Sequence, residues 1–296
     1  TMKYKGSLGS RIFDVVNVVG LTLIMVVTLY PVIYVVLASV SDSNRLLAYT
    51  GLLVKPLGFN TAAYAAVIKN PNILSGYMVT IFVVVVGTTL NILATSVSAF
   101  VLTRKRFPFR IPFTLMAVFT MYFSGGMIPR YLFINDTLGL GNTVWALILP
   151  GMISTYNMII MKNNFESIPD SLEESARMDG ANDIVILFKI VLPLSKAILA
   201  VMVLMYGVSH WNAWFDAMLF IRKRDLYPLQ IILREILIAN STDSMMAGSG
   251  MSSDVEAIGE SIKYATIVVA TAPILCVYPF IQKYFTKGVM LGAVKG

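Results

Sequence analysis

The densest set of side chains equipped for chemistry lies in an apolar run: His210, Trp211, Asn212, Trp214 and Asp216. Indole rings stack on the faces of sugar rings, and an amide and a carboxylate hydrogen-bond to hydroxyls, so the set suits a carbohydrate contact. The same residues also suit a membrane–water interface, where Trp concentrates. Asn157 and Tyr122 are further polar positions in apolar surroundings, and Tyr122 with Ser124 precedes Gly125-Gly126, where irregular, cavity-lining backbone is expected. Asn91, Thr88 and Thr95 read instead as hydrogen-bonding contacts between helices. Covalent chemistry has little to work with. His210 is the one histidine and Cys276 the one cysteine, which argues against a metal site, a disulfide or a proton relay within the chain. No Gly-x4-Gly-Lys-Ser/Thr loop, nucleophile elbow or His-Glu-x-x-His helix is present, so the chain has no nucleotide site of its own and is not expected to be an enzyme.

The elements that position these residues are set by composition. Hydrophobic residues make up 57% of the 296 and charged ones 13%, about half the charge of a soluble domain. The chain is therefore expected to be an all-α integral membrane protein, because apolar runs of about twenty residues suit helices rather than barrel strands. Six runs stand out, near 12–38, 77–102, 111–129, 142–161, 197–220 and 264–284, giving six transmembrane helices in one domain, 1–296. The first is too long for a cleaved leader and reads as a retained span; Thr1 ahead of Met2 reads as an appended residue. Most Lys and Arg fall on the side that would be cytoplasmic, with Arg104-Lys105-Arg106 and Arg110 the densest short cluster. Arg222-Lys223-Arg224 falls on the other side, at the start of a long loop, 221–263. Both termini are expected inside. The net charge of +7 has no need of nucleic acid as a partner. An outer segment, 39–76, has room for a short helix near 61–69.

Between the fourth and fifth runs lies a polar loop, 163–196. Asp170 with Glu173 has capping-box spacing after Pro169, Glu173 and Arg177 lie four apart, Gly180 suits a left-handed helix stop, and Asp183 suits a cap for the next helix. The spacing predicts a stiff helix over 171–179, roughly 13 Å long, whose small residues Ser175 and Ala176 allow close approach by another protein.

Glu174-Ser175-Ala176, three residues, Gly180, nine residues, Ile190, one residue and Leu192-Pro193 resembles the EAA loop of the membrane subunits of ATP-binding-cassette importers. Ser175 stands where that motif has a second small residue, Ala. The resemblance implies that Glu174, Ser175, Ala176, Asp179, Gly180, Ile190, Leu192 and Pro193 couple the chain to a separate ATPase, whose subunits hold ATP and Mg. The ending Lys287-Gly288 … Gly292-Ala-Val-Lys-Gly296 resembles carbohydrate-importing permeases of the maltose-transporter type, and implies that the tail 285–296 lies against the ATPase pair. The chain looks most like permeases for uronic-acid oligosaccharides, alginate included. The resemblance implies a bacterial inner-membrane permease subunit working by alternating access with a second permease, two ATPases and an extracytoplasmic solute-binding protein. The rival expectation is an ion-gradient-driven secondary transporter or channel, which would need acidic residues inside the spans.

Overall fold

The computed structural model describes residues 8–246, 261–276 and 279. Among them the chain is helical, and an isolated bridge between Ser41 and Phe59 is its sole β feature. The C-terminal tail 285–296, most of the sixth apolar run beyond Cys276 and the centre of the outer loop lie outside the described residues. The chain divides into two compact units, 1–70 with 235–271 and 71–234 with 272–296.

In the first unit, α1 (Leu8–Ser39) is 32 residues long and apolar on every face. Val16 and Phe13 remain 64% and 67% exposed, as expected of a helix solvated by lipid or by another chain rather than by water. At its end Ala38 packs with Leu46 and Leu53. Asp42 caps α2 (Ser43–Leu47) by accepting from Arg45 N. The short outer helix is α3, Ala62–Lys69, whose Tyr64 hydroxyl bonds Ser39 Oγ at 2.7 Å.

In the second unit α4 spans Pro71–Thr103 and widens into a π-turn at Val83–Gly87. Helices α5 (Arg110–Tyr122) and α6 (Met127–Thr137) meet at 116°. The third apolar run, expected as a helix to about 129, therefore stops at Tyr122, because Gly126 takes φ +86° and turns the chain. The fourth run is not one helix either. It comprises α7 (Trp145–Ile148), a 3-10 turn at Leu149–Gly151 around Pro150, and α8 (Thr155–Glu166), started by Ser154. The polar helix is α9, Asp170–Met178. Helix α10 (Asp183–Leu194) meets α11 (Lys196–Asn212) at 87°. After α11 comes α12 (Phe215–Phe220); α13 (Leu229–Met246) and α14 (Ser261–Cys276), which holds the described part of the sixth run, lie largely in the first unit. By length and composition α1 and α4 each suffice to cross a membrane, and each bent pair does so if counted as one span.

The main core of the second unit is drawn from four helices. Ala99, Phe100 and Leu102 of α4, Met158, Met161 and Phe165 of α8, Ile186, Leu187 and Val191 of α10, and Met202 and Tyr206 of α11 are all buried together. This core carries the polar helix on its lower rim and the polar residues of α4 and α11 above.

Candidate functional site

Helix α9 is stopped at both ends. Pro169 occupies the N-cap with no side-chain hydrogen bond. At the other end Gly180, at φ +83°, donates to Arg177 O at 3.0 Å while Ala181 donates to Ala176 O at 2.9 Å. That pair of bonds is a Schellman closure, which needs a left-handed residue where Gly180 stands. The cap of α10 is Asn182, whose Oδ1 accepts from Val185 N at 2.9 Å, and not Asp183 as expected. Asp183 begins the helix instead and pairs with Arg177. The expected Glu173–Arg177 pair along α9 is not formed, and Asp170 closes no capping box.

Both acids turn to another element. Arg104, capping the end of α4, holds Glu173 with both guanidinium nitrogens, Nη2 to Oε1 at 2.8 Å. The same guanidinium lies 4.0 Å over the Phe100 ring. Lys105 Nζ donates to Asp170 at 2.7 Å. A two-pronged, largely buried ion pair contributes about 1.5–3 kcal/mol, against about 0.3–0.5 kcal/mol for an exposed pair along one helix. The tertiary partner therefore displaces the local one. Hydrogen bonding and charge from Lys105 hold the Asp170 carboxyl below the usual carboxylate range, and Asp170 raises Lys105 in turn.

The EAA-like residues divide by direction. Ala176 packs with Ala181, Ile190 and Leu192 against the buried core. Glu174, Ser175, Asp179, Gly180 and Pro193 face outward. Leu172 and Met178, 44% and 89% exposed, add apolar surface to that outward side. Arg104 was missed as a site residue; its cluster carried only a topological signal, because the partner lies 69 positions away.

Higher in the second unit the polar residues interlock. Asn91, wholly buried on α4, donates from Nδ2 to the carbonyls of Gly151 and Met152, each at 2.9 Å. Its Oδ1 lies 2.7 Å from His210 Nε2 on α11, which must donate because Asn91 has used its own protons. One turn along, Thr95 Oγ1 bonds the Tyr206 hydroxyl at 2.7 Å, and that hydroxyl accepts from Ser154 N. Two side chains of α4 thus bind the backbone groups freed where the fourth run breaks, or reach them through Tyr206. Thr88 makes no hydrogen bond from its buried hydroxyl.

The remaining residues of the expected substrate set separate. Trp211 leans on Tyr77, ring centroids 6.4 Å apart. Trp214 lies beneath Arg234, 4.2 Å from guanidinium to ring. Asp216 is held by both nitrogens of Arg130 at 2.8 and 2.9 Å. Asn212 and Tyr122 are exposed, Tyr122 by 79% at the end of α5. Asn157 is buried in the first turn of α8, its backbone N–H donating to Ser154 Oγ. Asn142, at φ +59°, accepts from the amides of Arg222 and Lys223 and seats the start of the outer loop.

Helices as long and apolar as α1 and α4 fit an integral membrane protein. The chain belongs to the family described as binding-protein-dependent transport system inner membrane component, matched over residues 86–291. It is 41% identical over 294 residues to the polygalacturonan/rhamnogalacturonan transport system permease protein YtcP of Bacillus subtilis (strain 168), covering 97% of this chain and 99% of that one. Protein LplC of the same organism is 40% identical over 97% of this chain and 96% of its own. Among solved structures, one chain from the crystal structure of a bacterial ABC transporter involved in the import of the acidic polysaccharide alginate is similar, with a TM-score of 0.86 and 34% identity. The likeness covers 96% of this chain and 100% of that one.

Proposed function

We propose that this chain is one permease subunit of a bacterial ATP-driven, binding-protein-dependent importer for an acidic oligosaccharide. It forms half of a translocation pathway with a second permease. Two ATPase subunits carry ATP and Mg, and an extracytoplasmic binding protein delivers the sugar. Six spans with both termini cytoplasmic put loop 163–196 on the ATPase side, and the two permeases alternate between inward and outward access as the ATPase dimer closes and opens. The observation that carries the reading is α9: nine helical residues stopped at both ends, Ala176 anchored in the core, and Glu174, Ser175 and Met178 presented outward. Such a helix transmits displacement instead of absorbing it.

An ion-gradient mechanism has less support. Asp216, the acid inside the fifth apolar run, is paired with Arg130. A uronate oligosaccharide is favoured by the kinship with the polygalacturonan/rhamnogalacturonan permease and the alginate importer. In liposomes holding the complete transporter, Glu174→Lys and Gly180→Pro should each reduce binding-protein-stimulated ATP hydrolysis about tenfold while the complex still assembles. Proline fixes φ near −65° where Gly180 needs +83°, so that variant misdirects the helix exit. Stimulation at the wild-type rate in both variants would leave loop 163–196 without a coupling role.

A further inference from the structure

We propose that Arg104 is a positioning residue that joins α9 to α4, so that movement of α9 reaches the Asn91 junction without travelling along the intervening chain. This inference rests on reading α9 as the helix that engages the ATPase. One covalent route runs back through residues 167–169 into α8; the other, forward to α11, is compliant. It passes Gly180, enters α10, crosses a π-turn at Leu187–Val191 and then bends by 87° before α11 begins. The route through Arg104 leaves the helix only at Arg104 itself, the C-cap, and meets no π-turn or bend between Thr88 and Thr103.

At its lower end the Arg104 guanidinium grips Glu173 in a two-pronged pair, with the two side chains 20% and 14% exposed. The group is braced from behind by the Phe100 ring, and its Nε donates to the Phe100 carbonyl at 3.3 Å. From there α4 is unbroken α-helix back to Thr88. Asn91 lies thirteen residues away, about 20 Å at 1.5 Å per residue. There Asn91 and Thr95 hold α11 through His210 and Tyr206 and hold the break in the fourth run through Gly151, Met152 and Ser154. A displacement at Glu173 is thus delivered to the junction of three apolar segments. The neighbouring Lys105–Asp170 pair cannot share the load, because its side chains are 80% and 71% exposed and water competes for both.

The test uses the assembled transporter in liposomes, with the ratio of binding-protein-stimulated to basal ATP hydrolysis as readout, alongside sugar uptake, complex yield and melting temperature. Arg104→Gln should lower the ratio about tenfold, and Arg104→Lys, which keeps the charge but loses the fork, about threefold. The exchanged pair Arg104→Glu with Glu173→Arg should recover part of the loss, and Lys105→Gln should leave the ratio as it is. A wild-type ratio in Arg104→Gln overturns the proposal, as does a fall that merely tracks complex yield or melting temperature across the series. Gly180→Pro separates the two levels. If it lowers the ratio and Arg104→Gln does not, Arg104 alone is wrongly assigned; if neither lowers it, the coupling reading of α9 falls with it.

Discussion

Gly87 shows how one missing methyl group sets a contact between spans. A Cβ there would lie 2.7 Å from His210 Nε2 and 3.0 Å from Cε1. An alanine in a helix is ordinarily favoured over glycine by roughly 0.5–1 kcal/mol. Here the ring cannot retreat without releasing Asn91 Oδ1, and overpacking costs about 1–3 kcal/mol, so the steric term wins. Gly87→Ala is expected to lower the melting temperature of the purified protein. His210→Ala in the same chain should make the alanine nearly neutral, because the atom it strikes is gone. Additive losses in the double variant would show that the clash does not decide the contact.

At the scale of elements, α4 is the common neighbour of α11 and of both helical pieces of the broken fourth run, α7 and α8. Asn91 is fully engaged, with two donors on carbonyls and one acceptor on the histidine. Asn91→Leu keeps the volume but strands these groups, at about 1–3 kcal/mol for each one left buried and unpaired. Thr95→Val removes a single hydroxyl contact and should be milder. Hydrogen exchange followed by mass spectrometry should then show faster exchange at amides 154–158 in Asn91→Leu, with α1 unaffected. Unchanged exchange there would mean that Pro150 and the Ser154 cap hold the break unaided. The polar helix obeys the same logic. Its stops at Pro169 and Gly180 are local, whereas Arg104 from another element and the core beneath Ala176 hold it in place.

For the whole molecule, the substrate prediction turns on charge. Arg130 is neutralised by Asp216, Arg222 reaches the Tyr131 hydroxyl and Arg234 covers Trp214. Arg234, a cation over the Trp214 ring, suits a glycan carrying carboxylates, since ring stacking and charge then act on the same sugar unit. With its binding protein present, the reconstituted transporter should hydrolyse ATP at least about fivefold faster for a uronate oligosaccharide than for a neutral one of equal length. Equal stimulation by both would remove the acidic-glycan reading and leave the permease assignment intact.

Local sequence was enough to define the class of molecule and, to within one residue at each end, the bounds of its polar helix. Apolar runs of spanning length exclude a water-soluble core, and the helix stops at Pro169 and Gly180 act through backbone angles that depend on those residues alone. The resemblance of Glu174 to Pro193 to an importer loop was legible for the same reason, being confined to twenty consecutive positions. The choice of partners was left to tertiary packing. Glu173 left Arg177 for Arg104, Asp183 gave up the cap to Asn182, and His210 and Asp216, close together in one apolar run, were drawn to Asn91 and Arg130 on different elements. The breaks at Gly126 and Pro150 likewise lay within runs that hydropathy averages into continuous spans. Hydropathy measures the solvent a segment prefers, and spacing measures its neighbours within a turn or two. An ion pair between residues 69 positions apart depends on neither, because burial strengthens it only after the fold has brought the two charges together.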